Sequence, residues 1–238
     1  MKCKFAALFR LLPILAVTLL IAVTTQTGCH SVKDPTLKVE KYDHTIRVAC
    51  VGDSITWGDK ITDRDKNCYP VTLGKLLGAK FDVRNFGVNG ATLLKHGDGP
   101  YWKTRAYKEA QDFQPDVVII MLGTNDSKPQ NWKYKDEFMF DLQEMVTHFR
   151  YLDSKPKIWL CTPCPVYEEG KWGITPSVVA NEIVPMVQQV AENDNLPIID
   201  IFSAMSHRST CFVDTVHPTA EGAEIIARTV AGALVGER

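Results

Sequence analysis

The chain has 238 residues, 45% of them hydrophobic and 23% charged, a balance that suits one packed domain with a short appendage and excludes a disordered chain. Lysine plus arginine number 27 against 28 aspartate plus glutamate. With no basic excess to attract a phosphate backbone, nucleic-acid binding is not expected.

In chain order, the first segment reads as an export signal. Residues 1–28 hold Lys2, Lys4 and Arg10 but no acid, and the run 11–23 is nearly all apolar. That run is shorter than the roughly 20 residues a membrane-crossing helix needs. It ends in Thr25-Gln26-Thr27-Gly28-Cys29, which resembles a bacterial lipobox, in which Cys29 is lipidated and becomes the mature N-terminus. Gln26 departs from the pattern, which has an aliphatic residue there, and an ordinary cleaved signal is the alternative. Residues 29–43 then read as a lipid-anchor cysteine and polar tether, and 44–238 as the working domain. Without the leader, 210 residues carry 24 basic and 28 acidic side chains, so the exported part is mildly acidic.

Five cysteines remain beyond Cys29: Cys50, Cys68, Cys161, Cys164 and Cys211. An odd number cannot all pair, and a single bridge such as Cys68 to Cys211 stays open. Cys161-Thr162-Pro163-Cys164 has metal or redox spacing, yet no second such pair completes a zinc site, so no metal is expected. Small residues at a strand end account for it.

From residue 45 onward, strand-like and helix-like segments alternate. Strands are expected over 45–51, 81–86, 117–122, 158–161 and 197–201. Helices are expected over 69–77, 103–113, 133–152, 177–193 and 220–234. Phe138, Leu142, Met145, Val146 and Phe149 fall at helical spacing in the third helix, and Pro185 should kink or break the fourth. The continuous apolar run 117–122 suits a strand buried on both faces. Alternation of this kind predicts a three-layer α/β/α sandwich around a five-stranded parallel sheet. Its ligand crevice should lie beyond the carboxyl ends of the strands.

Four short motifs fall at that edge. The first strand ends in Gly52-Asp53-Ser54-Ile55-Thr56, which puts a hydroxyl just past a buried strand. Thr56 stands where the α/β-hydrolase elbow has its last glycine, so that motif is not met. The second strand ends in Asn85-Phe86-Gly87-Val88-Asn89-Gly90, where glycine permits close approach of backbone to ligand. The third ends in Gly123-Thr124-Asn125-Asp126, with an amide able to donate. Before the last helix stands Asp214-Thr215-Val216-His217-Pro218, whose spacing lets a carboxylate hold one imidazole nitrogen while the other faces a serine. Each motif alone reads as readily as a turn. Together they supply nucleophile, donors and base at one edge.

Gly52-Asp53-Ser54-Ile55-Thr56, Gly87, Gly123-x-Asn125-Asp126 and Asp214-x-x-His217-Pro218 resemble, in order, the four sequence blocks of the SGNH (GDSL-type) hydrolases. The resemblance covers roughly residues 46–234. It implies a flavodoxin-like fold and serine esterase chemistry that needs no cofactor. It makes Ser54 the nucleophile, His217 the general base and Asp214 its orienting acid. The implied oxyanion hole is the Ser54 and Gly87 amides with the Asn125 side chain. Asp53 and Asp126 read as acids that brace loops. A base of imidazole type, with a reference pKa near 6.5, predicts loss of activity in mild acid.

The segments Gly97-Asp98-Gly99-Pro100-Tyr101-Trp102 and Gly123-Thr124-Asn125-Asp126-Ser127-Lys128-Pro129 are similar to bacterial carbohydrate O-acetylesterases. That similarity, with no long apolar lid segment, makes an acetylated xylan-, pectin- or sialoside-type glycan the expected substrate. Among the loop aromatics Trp57, Tyr101, Trp102, Trp132 and Trp172, the residues Trp102 and Trp172, together with Asn89, are the expected sugar contacts. A lysophospholipase or thioesterase of the same fold is the enzymatic alternative. A non-catalytic glycan-binding lipoprotein is the alternative of another class.

Overall fold

The computed structural model describes residues 36–169 and 171–236. The expected signal, Cys29 and the first part of the tether, residues 29–35, lie outside the described residues. Among the described residues no helix is long and apolar enough to cross a membrane.

The five strands are β1 (Ile46–Gly52), β2 (Phe81–Gly87), β3 (Val117–Met121), β4 (Lys157–Cys161) and β5 (Ile198–Ile199). All pair in parallel in the order β2-β1-β3-β4-β5. This is the flavodoxin-like order, and the chain reverses its direction of travel across the sheet between β1 and β3. Alternation along the central strands builds two cores. Ile46, Val48 and Cys50 with Val117, Ile119 and Met121 face the helices Tyr69–Leu77 and Ala220–Val235. Ala49 and Val51 with Val118 and Ile120 face Arg105–Asp112, Phe138–Arg150 and Val184–Asn193. Both faces of β3 are covered, which is why its sequence is an unbroken apolar run.

Departures from the sequence expectation have local causes. The fourth helix does not break at Pro185. A π-helical turn, Val179–Ile183, precedes Val184–Asn193, and its wider coil leaves room for a ring that would strike the carbonyl four residues back. β5 shortens to two residues because Asp200 leaves the strand to accept from the Ser203 N–H and cap the helix Ile201–Met205. The domain also begins earlier than residue 44. Leu37 is buried, packs in the first core and donates its N–H to Leu234 O at 2.7 Å, so the stretch read as tether lies on the domain from there. The five described cysteines are all buried and free, including Cys68 and Cys211.

Candidate active site

Ser54 opens a one-turn helix, Ser54–Trp57, directly beyond β1. Asp53 caps that turn by accepting from the Ile55 N–H at 2.9 Å, and Gly58 and Asp59 both donate their N–H groups to Ser54 O. The turn fits because Gly52 is bare. A Cβ there would stand 2.0 Å from Thr56 Oγ1 and 2.7 Å from Met121 O.

His217 and Asp214 arrive from the other end of the chain, in the loop before Ala220–Val235. His217 Nε2 lies 2.9 Å from Ser54 Oγ, and Nδ1 lies 2.9 and 3.0 Å from the two Asp214 oxygens. The Asp214 carboxylate also accepts from the His217 backbone N–H at 2.8 Å and from the Trp172 indole N–H at 3.0 Å. Burial alone would raise the Asp214 carboxyl, but these donors outweigh it and hold it down to about 2. It therefore stays ionised, fixes the Nδ1–H tautomer and leaves Nε2 free to take the serine proton. A second carboxylate, Asp59 Oδ2, stands 3.7 Å from Nε2.

The relay lies at the base of a cleft of about 210 Å³ lined by Ser54, Asp59, Asn89, Gly90, Asn125 and His217, with Lys60, Lys128, Trp172 and Ile174 completing the wall. Ser54 follows β1 and Asn125 follows β3, so the cleft opens at the point where the strand order reverses. Among the described residues no group of three or more His, Cys, Asp or Glu side chains stands so as to hold a metal ion.

Residues 50–225 match the sequence model of the GDSL-like lipase/acylhydrolase family. The chain belongs to that family. An acetylxylan esterase of Xylanibacter ruminicola is 41% identical over 210 residues, covering 81% of this chain and 44% of that protein. A GDSL esterase/lipase of Arabidopsis thaliana is 24% identical over 144 residues, covering 52% of this chain and 45% of that protein. The chain thus spans less than half the length of the curated relatives it matches. Among solved structures, the inhibitor-bound M. smegmatis aryl esterase superposes with a TM-score of 0.65 at 23% identity, over 78% of this chain and 96% of that one. A carbohydrate acetylesterase family member from Sinorhizobium meliloti gives 0.60 at 21% identity, over 78% and 95%. These superpositions show a shared α/β fold.

Within that fold not every expected residue reaches the cleft. Gly87 does not line it. A Cβ on Gly87 would stand 2.2 Å from Trp57 N, and its own N–H is taken by Asn85 Oδ1 at 2.9 Å. Its smallness serves the packing of β2 against the Ser54 turn. The glycine at the cleft is Gly90, three residues on, at φ +76. The N–H groups of Ser54 and Gly90 have no acceptor among the described residues. The Asn125 amide gives one hydrogen to Ala91 O at 3.1 Å and keeps the other. Three donors therefore border the space above Ser54, with Gly90 in place of the expected Gly87.

Trp102 is also misplaced by the sequence expectation. Its indole donates to Leu93 O at 2.7 Å and its ring packs among Tyr107, His148 and Lys95, away from the cleft. Tyr101 and Trp132 are buried, and Trp57 lies beneath the Arg64 guanidinium, so of the five loop aromatics Trp172 alone lines the cleft, beside the expected Asn89. The two bracing acids are deeply buried. Asp126 accepts from the Leu93 and Leu94 N–H groups at 3.0 and 2.7 Å, tying down the loop that carries Gly90. Burial pushes its carboxyl up to about 7 and that of Asp53 up to about 6. Asp59, Lys60, Gly90, Lys128 and Ile174 were not singled out from sequence. For Asp59 the available signal was its place one short turn beyond Ser54.

Proposed function

We propose that the protein is a serine esterase that removes O-acetyl groups from a carbohydrate. The observation that carries this reading is the continuous relay from Ser54 Oγ through His217 to Asp214 at the base of a small cleft. As Ser54 attacks the acetyl carbonyl, its proton passes to His217 Nε2, and Asp214 supports the imidazolium through Nδ1. The Ser54 and Gly90 amides and the Asn125 side chain stabilise the negative oxygen of the tetrahedral intermediate. The imidazolium returns the proton to the departing sugar hydroxyl. Water, deprotonated by the same imidazole, then releases acetate from Ser54.

The size of the cleft supports a short acyl group. At about 210 Å³ it lies below the roughly 300–1,000 Å³ of sites that enclose drug-sized ligands. The acyl part fits inside while the alcohol part lies along the exposed rim at Trp172. The acetylxylan esterase relative and the segments similar to carbohydrate O-acetylesterases support a sugar as that alcohol. The leader and Cys29 support export with a lipid anchor, tested by fractionation: Cys29→Ala should move the protein from the membrane to the soluble fraction.

Acetate release from acetylated xylan, pectin and sialoside, beside p-nitrophenyl esters from acetate to octanoate, tests the reading. Acetate should be preferred, and Ser54→Ala should abolish turnover. A preference for octanoate would favour the lipid or thioester reading, and hydrolysis undiminished in Ser54→Ala would overturn the serine mechanism.

A further inference from the structure

Trp172 does more than border the cleft. It sits with φ +58 in the short turn Lys171–Gly173, an uncommon conformation for a bulky residue, and Gly173 follows at φ +74. The two left-handed residues bring the indole back over the catalytic loop. Its N–H meets Asp214 Oδ2 at 3.0 Å, and its ring stands edge-on to the imidazole, centroids 6.3 Å apart at 72°. The turn is fastened to the same loop on both sides. Tyr167 N donates to Thr215 O at 3.1 Å, and Ile174 packs with Val216 in a small buried cluster. Despite these ties Trp172 is 56% exposed. Lys60 Nζ stands 5.6 Å from the ring centroid, and the charged groups facing His217 are Asp214 and Asp59, with the buried Asp53 carboxyl behind Ser54 also interacting with the imidazole.

We propose that Trp172 is a positioning residue that links sugar binding to the alignment of the relay. Its indole N–H fixes the Asp214 oxygen that holds His217 Nδ1, while its exposed ring face receives the sugar that carries the acetyl group. The sugar half of this assignment rests on the proposed carbohydrate substrate. The positioning half stands on the geometry alone. A sugar stacked on the ring also restrains the indole, so occupancy of the ring and alignment of the relay reinforce each other.

The test compares Trp172→Phe, which keeps a ring and loses the N–H, with Trp172→Ala, which loses both. Steady-state kinetics use p-nitrophenyl acetate and an acetylated xylo-oligosaccharide. A charge-assisted hydrogen bond at a partly exposed site corresponds to about a tenfold change in rate. Trp172→Phe should lose about tenfold in kcat on both esters, with the oligosaccharide KM unchanged. The acid limb of its pH profile should move to higher pH, because Asp214 without the indole donor pulls harder on the imidazole proton. Trp172→Ala should add a rise of about fivefold in the oligosaccharide KM and a smaller one in that of p-nitrophenyl acetate. Independently of activity, the indole N–H resonance that disappears in Trp172→Phe should shift upfield in Asp214→Ala.

Unchanged kcat in Trp172→Phe, or an indole resonance indifferent to Asp214→Ala, would overturn the positioning role. An unchanged oligosaccharide KM in Trp172→Ala would overturn the sugar role. A wild-type protein that hydrolyses p-nitrophenyl acetate but no acetylated glycan refutes the carbohydrate reading and with it the sugar half, and leaves the positioning half to be decided by p-nitrophenyl acetate and the resonance.

Discussion

Asn125→Ala separates two uses of a single amide. One of its hydrogens holds Ala91 O at 3.1 Å, and Ala91 is itself buried, so the substitution orphans a carbonyl inside the protein. That loss costs about 1–3 kcal/mol of stability, or a fall of several degrees in Tm for a domain of this size. The other hydrogen borders the space above Ser54. Removing one oxyanion donor typically lowers kcat by about 10²–10³, or roughly 2.7–4 kcal/mol. The two effects are read separately, by thermal melting and by turnover of p-nitrophenyl acetate at a temperature where both proteins are folded. Because the donor acts on charge that develops in the transition state, KM should change little. Affinity for methylboronic acid, which mimics the tetrahedral intermediate on Ser54, should fall in step with kcat. A kcat within threefold of wild type, with boronate binding intact, would refute the placement of Asn125 in the oxyanion hole.

The two glycines beyond β2 should behave differently. Gly87→Ala forces a methyl into the Trp57 backbone and should lower Tm sharply, whereas a Cβ on Gly90 meets nothing within 4 Å. At φ +76 Gly90→Ala carries only about 1–2 kcal/mol of backbone strain, so it should fold and lose kcat, measured by melting and esterase assay together. Asp214→Asn should lower kcat by about 10⁴, as removal of the orienting charge does in serine proteases, with the thermal melt showing a folded protein. Since the Asp214 carboxyl is held down to about 2, its contribution to stability is present above pH 4 and is lost only as pH falls through that value. Asp126, raised by burial to about 7, has the opposite sign. It costs nothing below pH 4, and its cost grows as pH rises towards 7. Asp126→Asn should therefore flatten the decline of Tm between pH 4 and 8, while lowering Tm overall because one of the Leu93 and Leu94 N–H groups loses its acceptor.

The strands, their order of appearance and the Ser54, Asp214 and His217 positions were legible because local spacing carries local geometry. Asp214 and His217 are close enough in sequence that the carboxylate meets both the backbone and the ring of the histidine within one turn. The glycine beyond β2 was not legible. Gly87 and Gly90 occupy one loop, and what separates them is the Thr56–Trp57 backbone lying against the first, a contact between elements about thirty residues apart. Trp102 was misread for a similar reason. Its indole is held away from the cleft by the bond to Leu93 O and by the ring packing of Tyr107 and His148. Pro185 was recognised as a disturbance, but a π-helical turn absorbs it instead of a break, because Ile183 and Val187 must both remain in the core.

The bond from Ser54 to His217 joins positions 163 residues apart. A chain emerging from its N-terminus has the serine, the bracing acids Asp53 and Asp126 and most of the sheet long before it has a base. The His217 loop is held by the helix Ala220–Val235, whose Leu234 carbonyl in turn grips Leu37 at the start of the domain. The first and last turns of the domain thus close on each other as the relay is completed. Under the proposed chemistry, hydrolysis becomes a report that the domain has folded through to its last helix: a molecule halted before that helix docks carries a hydroxyl with no imidazole to take its proton, and should be silent towards every ester it meets.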